Sequence, residues 1–336
     1  MTRQTPLPMP AAPVLPHWKQ VVERYRRASG WRASWQLVNT LVPYVAAWCL
    51  MPWLATVSWW LVLPVAMLAA GLQVRLFIIF HDCGHGSFFA SQRLNRLVGF
   101  WAGVLTFVPA QAWWAEHARH HATSGNLDKR GTGDIWTLTV QEYLESSRWR
   151  RFAYRLARNP LVLFVVAPLV VFLVLERIPD RDATARERRS VHLTNLSIAV
   201  LAASLAWVMG LGTYVAIQLL VSAMAGSAGV WLFYVQHQFE GVYWSRAASW
   251  DYDAAALHGS SYYKLPRLLQ WFSGNIGFHH IHHLSPGVPN YHLERCHGAS
   301  PLFAQVPQLT LWSSLQSLKH RLWDERQGCL VGYPRR

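Results

Sequence analysis

Apolar residues in this chain come in runs of about 20, the length at which an α-helix crosses about 30 Å of hydrocarbon. Runs at 35–57 and 59–80 are separated by residue 58 alone, and a longer run at 193–235 is divided by Gly210 and Gly212. Breaks this short return the chain to the side it came from, so each pair reads as a helical hairpin. Runs at 97–112 and 161–175 are shorter and contain Pro109 and Pro168, which suits re-entrant or interfacial segments better than crossings. The expected fold class is an all-α integral membrane protein. It has two transmembrane hairpins, about four crossings, with re-entrant or interfacial helices and a cytosolic histidine-rich cap.

Composition supports this and excludes other classes. Of 336 residues, 52% are hydrophobic and 14% charged, against about 25% charged in a soluble protein. The formal charge is +14. Nucleic acid is one partner for such a charge, but here the basic residues sit in the loops between apolar runs, where the positive-inside rule puts them. No nucleic-acid partner is expected; anionic headgroups and an acidic protein are. The four cysteines, Cys49, Cys83, Cys296 and Cys329, form no CxxC and no disulfide framework. The first residues lack an apolar core behind a basic start, so no secretory signal is expected and the chain should begin in the cytosol.

Residues 1–16 read as a Pro-rich tail. Residues 18–34 read as a basic amphipathic segment on the membrane surface, with Lys19, Arg24, Arg26, Arg27 and Arg32 toward headgroups. Residues 1–34 thus precede a single membrane domain at 35–336, whose hairpins are about 35–80 and 193–235 and whose cap is 81–192 and 236–336. Arg75, six residues before the end of the second run, is placed to snorkel to the interface.

Ten of the 16 histidines fall at four places on the expected cytosolic side. HDCGH holds His81 and His85, HARHH holds His117, His120 and His121, VQHQFE holds His237, and HHIHH holds His279, His280, His282 and His283. Residues at i, i+3 and i+4 share a helix face, so each spacing aims its imidazoles in one direction. His280 falls off that face and is left out. The other nine are more nitrogens than one tetrahedral zinc can use, and they suffice for two metals with an open position for oxygen, which fits a di-iron centre. HExxH, GxSxG and a Gly-rich phosphate loop are absent.

With these residues in place, the sequence resembles the membrane-bound fatty acid desaturase family, closest to its bacterial acyl-lipid branch. The likeness covers about 80–293 and rests on HDCGHGSFF at 81–89, HARHH at 117–121, VQHQFE at 235–240 and GNIGFHHIHHLSPGVPNY at 274–291. It implies an oxygen-dependent enzyme that places a cis double bond in a lipid-linked acyl chain. Its two iron ions would be held by His81, His85, His117, His120, His121, His279, His282 and His283, with His237 as a further ligand. Some family members carry Asn one turn before that further histidine; here the position is Phe233. O2 is then a co-substrate. No fused cytochrome b5 signature is seen, so electrons would come from an external reduced donor, ferredoxin-like or otherwise acidic, drawn to basic loops that include Arg148, Arg150, Arg151, Arg186, Arg188 and Arg189. The expected location is a bacterial cytoplasmic membrane, multi-pass, with the active site on the cytosolic side.

Trp35, Trp59, Trp101, Trp113, Trp114, Trp231, Tyr234 and Trp244 are candidates for an interfacial belt or a tunnel wall. Two other functions use the same histidines: oxygen insertion into a carotenoid, sterol or alkane, and metal binding without turnover. The first leaves oxygen in the product; the second leaves zinc or exchangeable metal and no oxygen consumption.

Overall fold

The computed structural model describes residues 17–131 and 133–334, so the tail at 1–16 lies outside the described residues. A short helix, α1 (His17–Glu23), precedes the first hairpin of α2 (Gly30–Val57) and α3 (Trp59–Gly84). Ser58 makes the turn alone. Its extended backbone ends α2, and its hydroxyl accepts the Trp60 N–H at the start of α3.

Two helices then bend sharply against each other: α4 (Gln92–Thr106) and α5 (Ala110–Thr123) meet at 96°. Phe107 sits at the bend in the left-handed region, with φ 62°. Its carbonyl accepts from Arg177, whose other terminal nitrogen donates to Asn195 Oδ1. After α6 (Val140–Glu145) and α7 (Arg148–Ala157), a π-helical turn leads into α8 (Ala167–Leu173). The second hairpin is α9 (Ala185–Met209) and α10 (Leu211–His237), broken at Gly210, whose φ of 84° strains any residue with a Cβ. Four helices, α2, α3, α9 and α10, are long and apolar enough to cross a membrane. The all-α membrane architecture is therefore as expected.

At the centre is α3. Ala66, Ala69, Leu72, Leu76 and Phe80 are buried there with Met51 of α2 and Ile217 and Val221 of α10. Small side chains on α3 let the neighbouring helices come close. Outward residues such as Val42, Val45, Leu196 and Trp207 are exposed and apolar, as lipid contact requires.

The remaining chain builds the cap over one end of the hairpins. It contains α11 (Tyr252–His258), α12 (Arg267–Phe272), α13 (His279–Leu284) and α14 (Asn290–His297), with two small two-stranded sheets. Two expectations need correction here. Arg75 does not reach an interface: it is buried, donates through Nε to Thr40 Oγ1 at 3.1 Å and through Nη1 to the Trp271 carbonyl, and lies 4.1 Å from the Trp271 ring centre. It ties α3 to α2 and α12, because tertiary packing brings acceptors nearer than water. Nor does 18–34 form one surface segment. Trp18 and Val22 are buried against Leu257, Ile281 and Leu284, Trp18 Nε1 donates to Asp253, and the spanning helix α2 already begins at Gly30.

Candidate metal centre

Four stretches of chain deliver histidines to one place. HDCGH is the last turn of α3 with its cap His85, HARHH the last turns of α5, His237 the last residue of α10, and HHIHH almost all of α13. Trp114 fixes α5 against α3 and α4. Its indole fills the space beside Gly84 and Gly99, where an added Cβ would come within 2.3 and 2.5 Å of it, and its Nε1 donates to the Phe80 carbonyl. This turns the histidines of α5 toward those of α3.

The rings sort into two groups. His81, His85, His117, His121 and His282 bring one nitrogen each to within 4.8 Å of one another. His120, His237 and His283 do the same. His279 completes the second group, with its Nε2 2.9 Å from His237 Nε2 and 3.1 Å from His283 Nε2. In the first group His121 Nε2 lies 3.1 Å from His117 Nε2 and 2.9 Å from His282 Nε2. All nine histidines singled out in the sequence are brought together. His280 is not among them; its Nε2 faces His297 Nδ1 at 3.1 Å, on the other side of α13.

Three rings have their tautomer set from behind. His81 Nδ1 is 3.0 Å from Asp82 Oδ1, His120 Nδ1 is 2.9 Å from Asp134 Oδ1, and His237 Nδ1 is 3.2 Å from the Gly259 carbonyl. Each acceptor demands a proton on Nδ1, which leaves a bare lone pair on Nε2 pointing into the groups. Burial, then the crowding of neighbouring imidazoles, pushes His279, His282 and His283 of α13 well below the ordinary histidine range. They are neutral and free to ligate. His85 Nε2 and His120 Nε2 are buried with no hydrogen-bond partner among the described residues. Imidazole nitrogens packed about 3 Å apart need a proton or a cation between them, and the bare Nε2 atoms of His81, His120 and His237 are available to a cation. The donor set is all imidazole and numbers five and four, which fits two metal ions better than one zinc.

Beside the groups runs a cavity of about 310 Å³. His81, His117 and His279 border it, and α3, α8 and α10 wall it with Phe77, Phe172 and Phe233 among others. Trp113, one of the tunnel candidates, lines it and stacks on His117 at 4.4 Å. Trp35, Trp59 and Trp101 are exposed instead, as a lipid-facing belt would be. The Phe233 ring lies 5.0 Å from the His237 ring and 5.4 Å from the His120 ring, so this position supplies an apolar wall to the second group and no amide.

The fatty acid desaturase family model matches residues 58–313. The chain belongs to the fatty acid desaturase family. It is 51% identical to the fatty acid desaturase of Bacillus subtilis, across 89% of this chain and 85% of the relative. Similarity extends to the sn-1 oleoyl-lipid 12-desaturase of Picosynechococcus, at 27% identity over 73% of this chain and 71% of that one. It also extends to the sn-1 acyl-lipid omega-3 desaturase (ferredoxin) of Synechocystis, at 27% identity over 70% and 66%. The desaturase is thus an oxidoreductase, and oxygen insertion or simple metal binding is not favoured.

Sequence reasoning missed Asp82, Asp134 and the Gly259 carbonyl, which stand behind three of the rings. Asp82 follows His81 directly and was visible as a neighbour. For Asp134, 14 residues from His120, and for Gly259, 22 residues from His237, spacing carries no signal.

Proposed function

We propose that this desaturase uses O2 to place a cis double bond in a lipid-linked acyl chain at a histidine-held pair of irons. The observation that supports the reading is the aromatic-walled cavity, which is bordered by His81 and His117 of one group and His279 of the other. His81, His85, His117, His121 and His282 would hold one iron, and His120, His237, His279 and His283 the other. Bound there, iron supplies the oxidising power to take two hydrogens from adjacent methylenes, with O2, two electrons and two protons consumed and two waters formed.

The chain's own residues do the positioning. Asp82, Asp134 and the Gly259 carbonyl hold three imidazoles in the ligating tautomer. Phe77, Trp113, Phe172 and Phe233 keep water from the cavity. Gly229 leaves room in its wall, since nothing lies within 4 Å of an added Cβ. Both hairpins and the cap contribute histidines, so residues 35–336 work as one unit.

Electrons come, in this reading, from a separate acidic, ferredoxin-like protein; the printed name of the Synechocystis relative includes ferredoxin, and the chain carries a charge of +14. The basic loops on the cap side support a bacterial cytoplasmic membrane with the site on the cytosolic face. The test is expression with a working ferredoxin system and mass spectrometry of the lipids with double-bond localisation. New cis-unsaturated chains that vanish in His120→Ala support the reading. An unchanged lipid profile, or oxygen retained in the product, overturns it.

A further inference from the structure

The helix α7 turns its apolar side away from the protein. Tyr154 and, at the C-terminal cap, Arg158 are buried, whereas Trp149, Phe152 and Leu156 are 81%, 59% and 48% exposed. At 3.6 residues per turn these three fall within an arc of about 60°, opposite the buried pair. Arg148 lies about 40° from one edge of the arc, Arg150 lies about 100° beyond the other, and both are exposed. The helix contains no carboxylate, and neither arginine takes part in an ion pair among the described residues. Arg155 differs: its Nε donates to Tyr143 and its guanidinium lies over the Tyr333 ring, so its charge is already used within the protein.

Just beyond α7, Leu161, Val165 and Val166 are also exposed. They belong to the apolar segment that runs into α8, which follows α7 in the chain at a bend of 62°.

We infer that α7 is an interfacial anchor for an anionic bilayer. Trp149, Phe152 and Leu156 enter the boundary between headgroups and acyl chains, and Arg148 and Arg150 meet lipid phosphates. An electron-donor protein is a poorer occupant: it would have to cover large apolar side chains that continue into lipid. Arg148 and Arg150 therefore hold the cap to the membrane, and donor docking falls to other basic residues. The inference rests on the membrane placement of the hairpins and is independent of the reaction catalysed.

The test is hydrogen exchange of the full-length protein in nanodiscs of phosphatidylcholine alone and of phosphatidylcholine with phosphatidylglycerol, each with and without a reduced [2Fe–2S] ferredoxin. Amides of 148–157 should exchange about fivefold slower in the anionic discs for each arginine engaged. The double substitution Arg148→Gln, Arg150→Gln should remove the difference between compositions and leave exchange in α3 unchanged. Ferredoxin should not alter the segment. Equal exchange in both lipids, or protection that appears only with ferredoxin, overturns the inference.

Discussion

Asp82 and Asn290, 208 positions apart, are joined twice: Asp82 Oδ2 accepts the Asn290 backbone N–H at 2.6 Å and its side-chain amide at 2.9 Å. The other carboxylate oxygen faces His81 Nδ1. One buried carboxylate thus locks the start of α14 to the end of α3 and sets the proton on a metal-facing imidazole.

Asp82→Asn should therefore weaken metal binding without removing a ligand. An amide at position 82 no longer demands the Nδ1 proton on His81. Loss of such a supporting carboxylate costs about 10- to 100-fold in metal affinity. Metal content after dialysis against graded chelator measures this, and wild-type retention would show that the contact does not tune the site.

The two faces of α13 should behave differently. His282→Gln removes a ring from the five-membered group and should abolish loading of that position. His280→Phe should keep the metal, because its ring packs away from the groups, near Tyr262 and Phe303, and the His297 left behind is only half-buried. Metal analysis of the two purified variants decides it; equal losses would contradict the division of the helix.

Much of this was legible in the chain because each feature is local. A spanning helix satisfies its own backbone, so run length and Gly210 or Ser58 suffice to place the hairpins. Likewise HxxxH and HxxHH set ring directions within one turn or two. What lay beyond reach depends on approach between distant segments. Arg75 found Thr40 and Trp271, Trp18 found Asp253, and His120 found Asp134, none of which follows from periodicity. The same holds for α7, whose sequence shows an apolar stripe but not which way it points.

Gly226 and Gly229, one turn apart on the cavity wall, should respond in opposite ways to enlargement. An added Cβ at Gly226 would sit 2.7 Å from Pro168 Cβ, so Gly226→Val must displace α8 and cost about 1–3 kcal/mol. At Gly229 nothing lies within 4 Å. Gly229→Val should leave the unfolding midpoint unchanged and shift products toward shorter chains. Thermal unfolding and lipid profiles check both; a fall in Tm at 229 or an unchanged product profile there would contradict the cavity assignment.

Arg246 bridges Asp128, just after α5, and Glu325 near the end of the described chain. The Ala247 N–H, and then Arg246, hold the Asp128 carboxyl below its usual range, and Arg246 does the same for Glu325. Groups depressed in the folded state add stability above the ordinary carboxylate range and lose it as pH falls through their folded values. Arg246→Gln should thus lower the unfolding midpoint slightly at neutral pH, with the gap from wild type closing in acid. A gap independent of pH would point to packing instead.

The pairing of nine imidazoles into five and four is tested most directly by metal analysis with Mössbauer spectroscopy on the purified full-length protein grown with 57Fe. Two irons per chain, both in nitrogen-rich surroundings, are predicted. Folded protein that carries zinc, a single ion or no metal after growth in iron-replete medium would contradict the account.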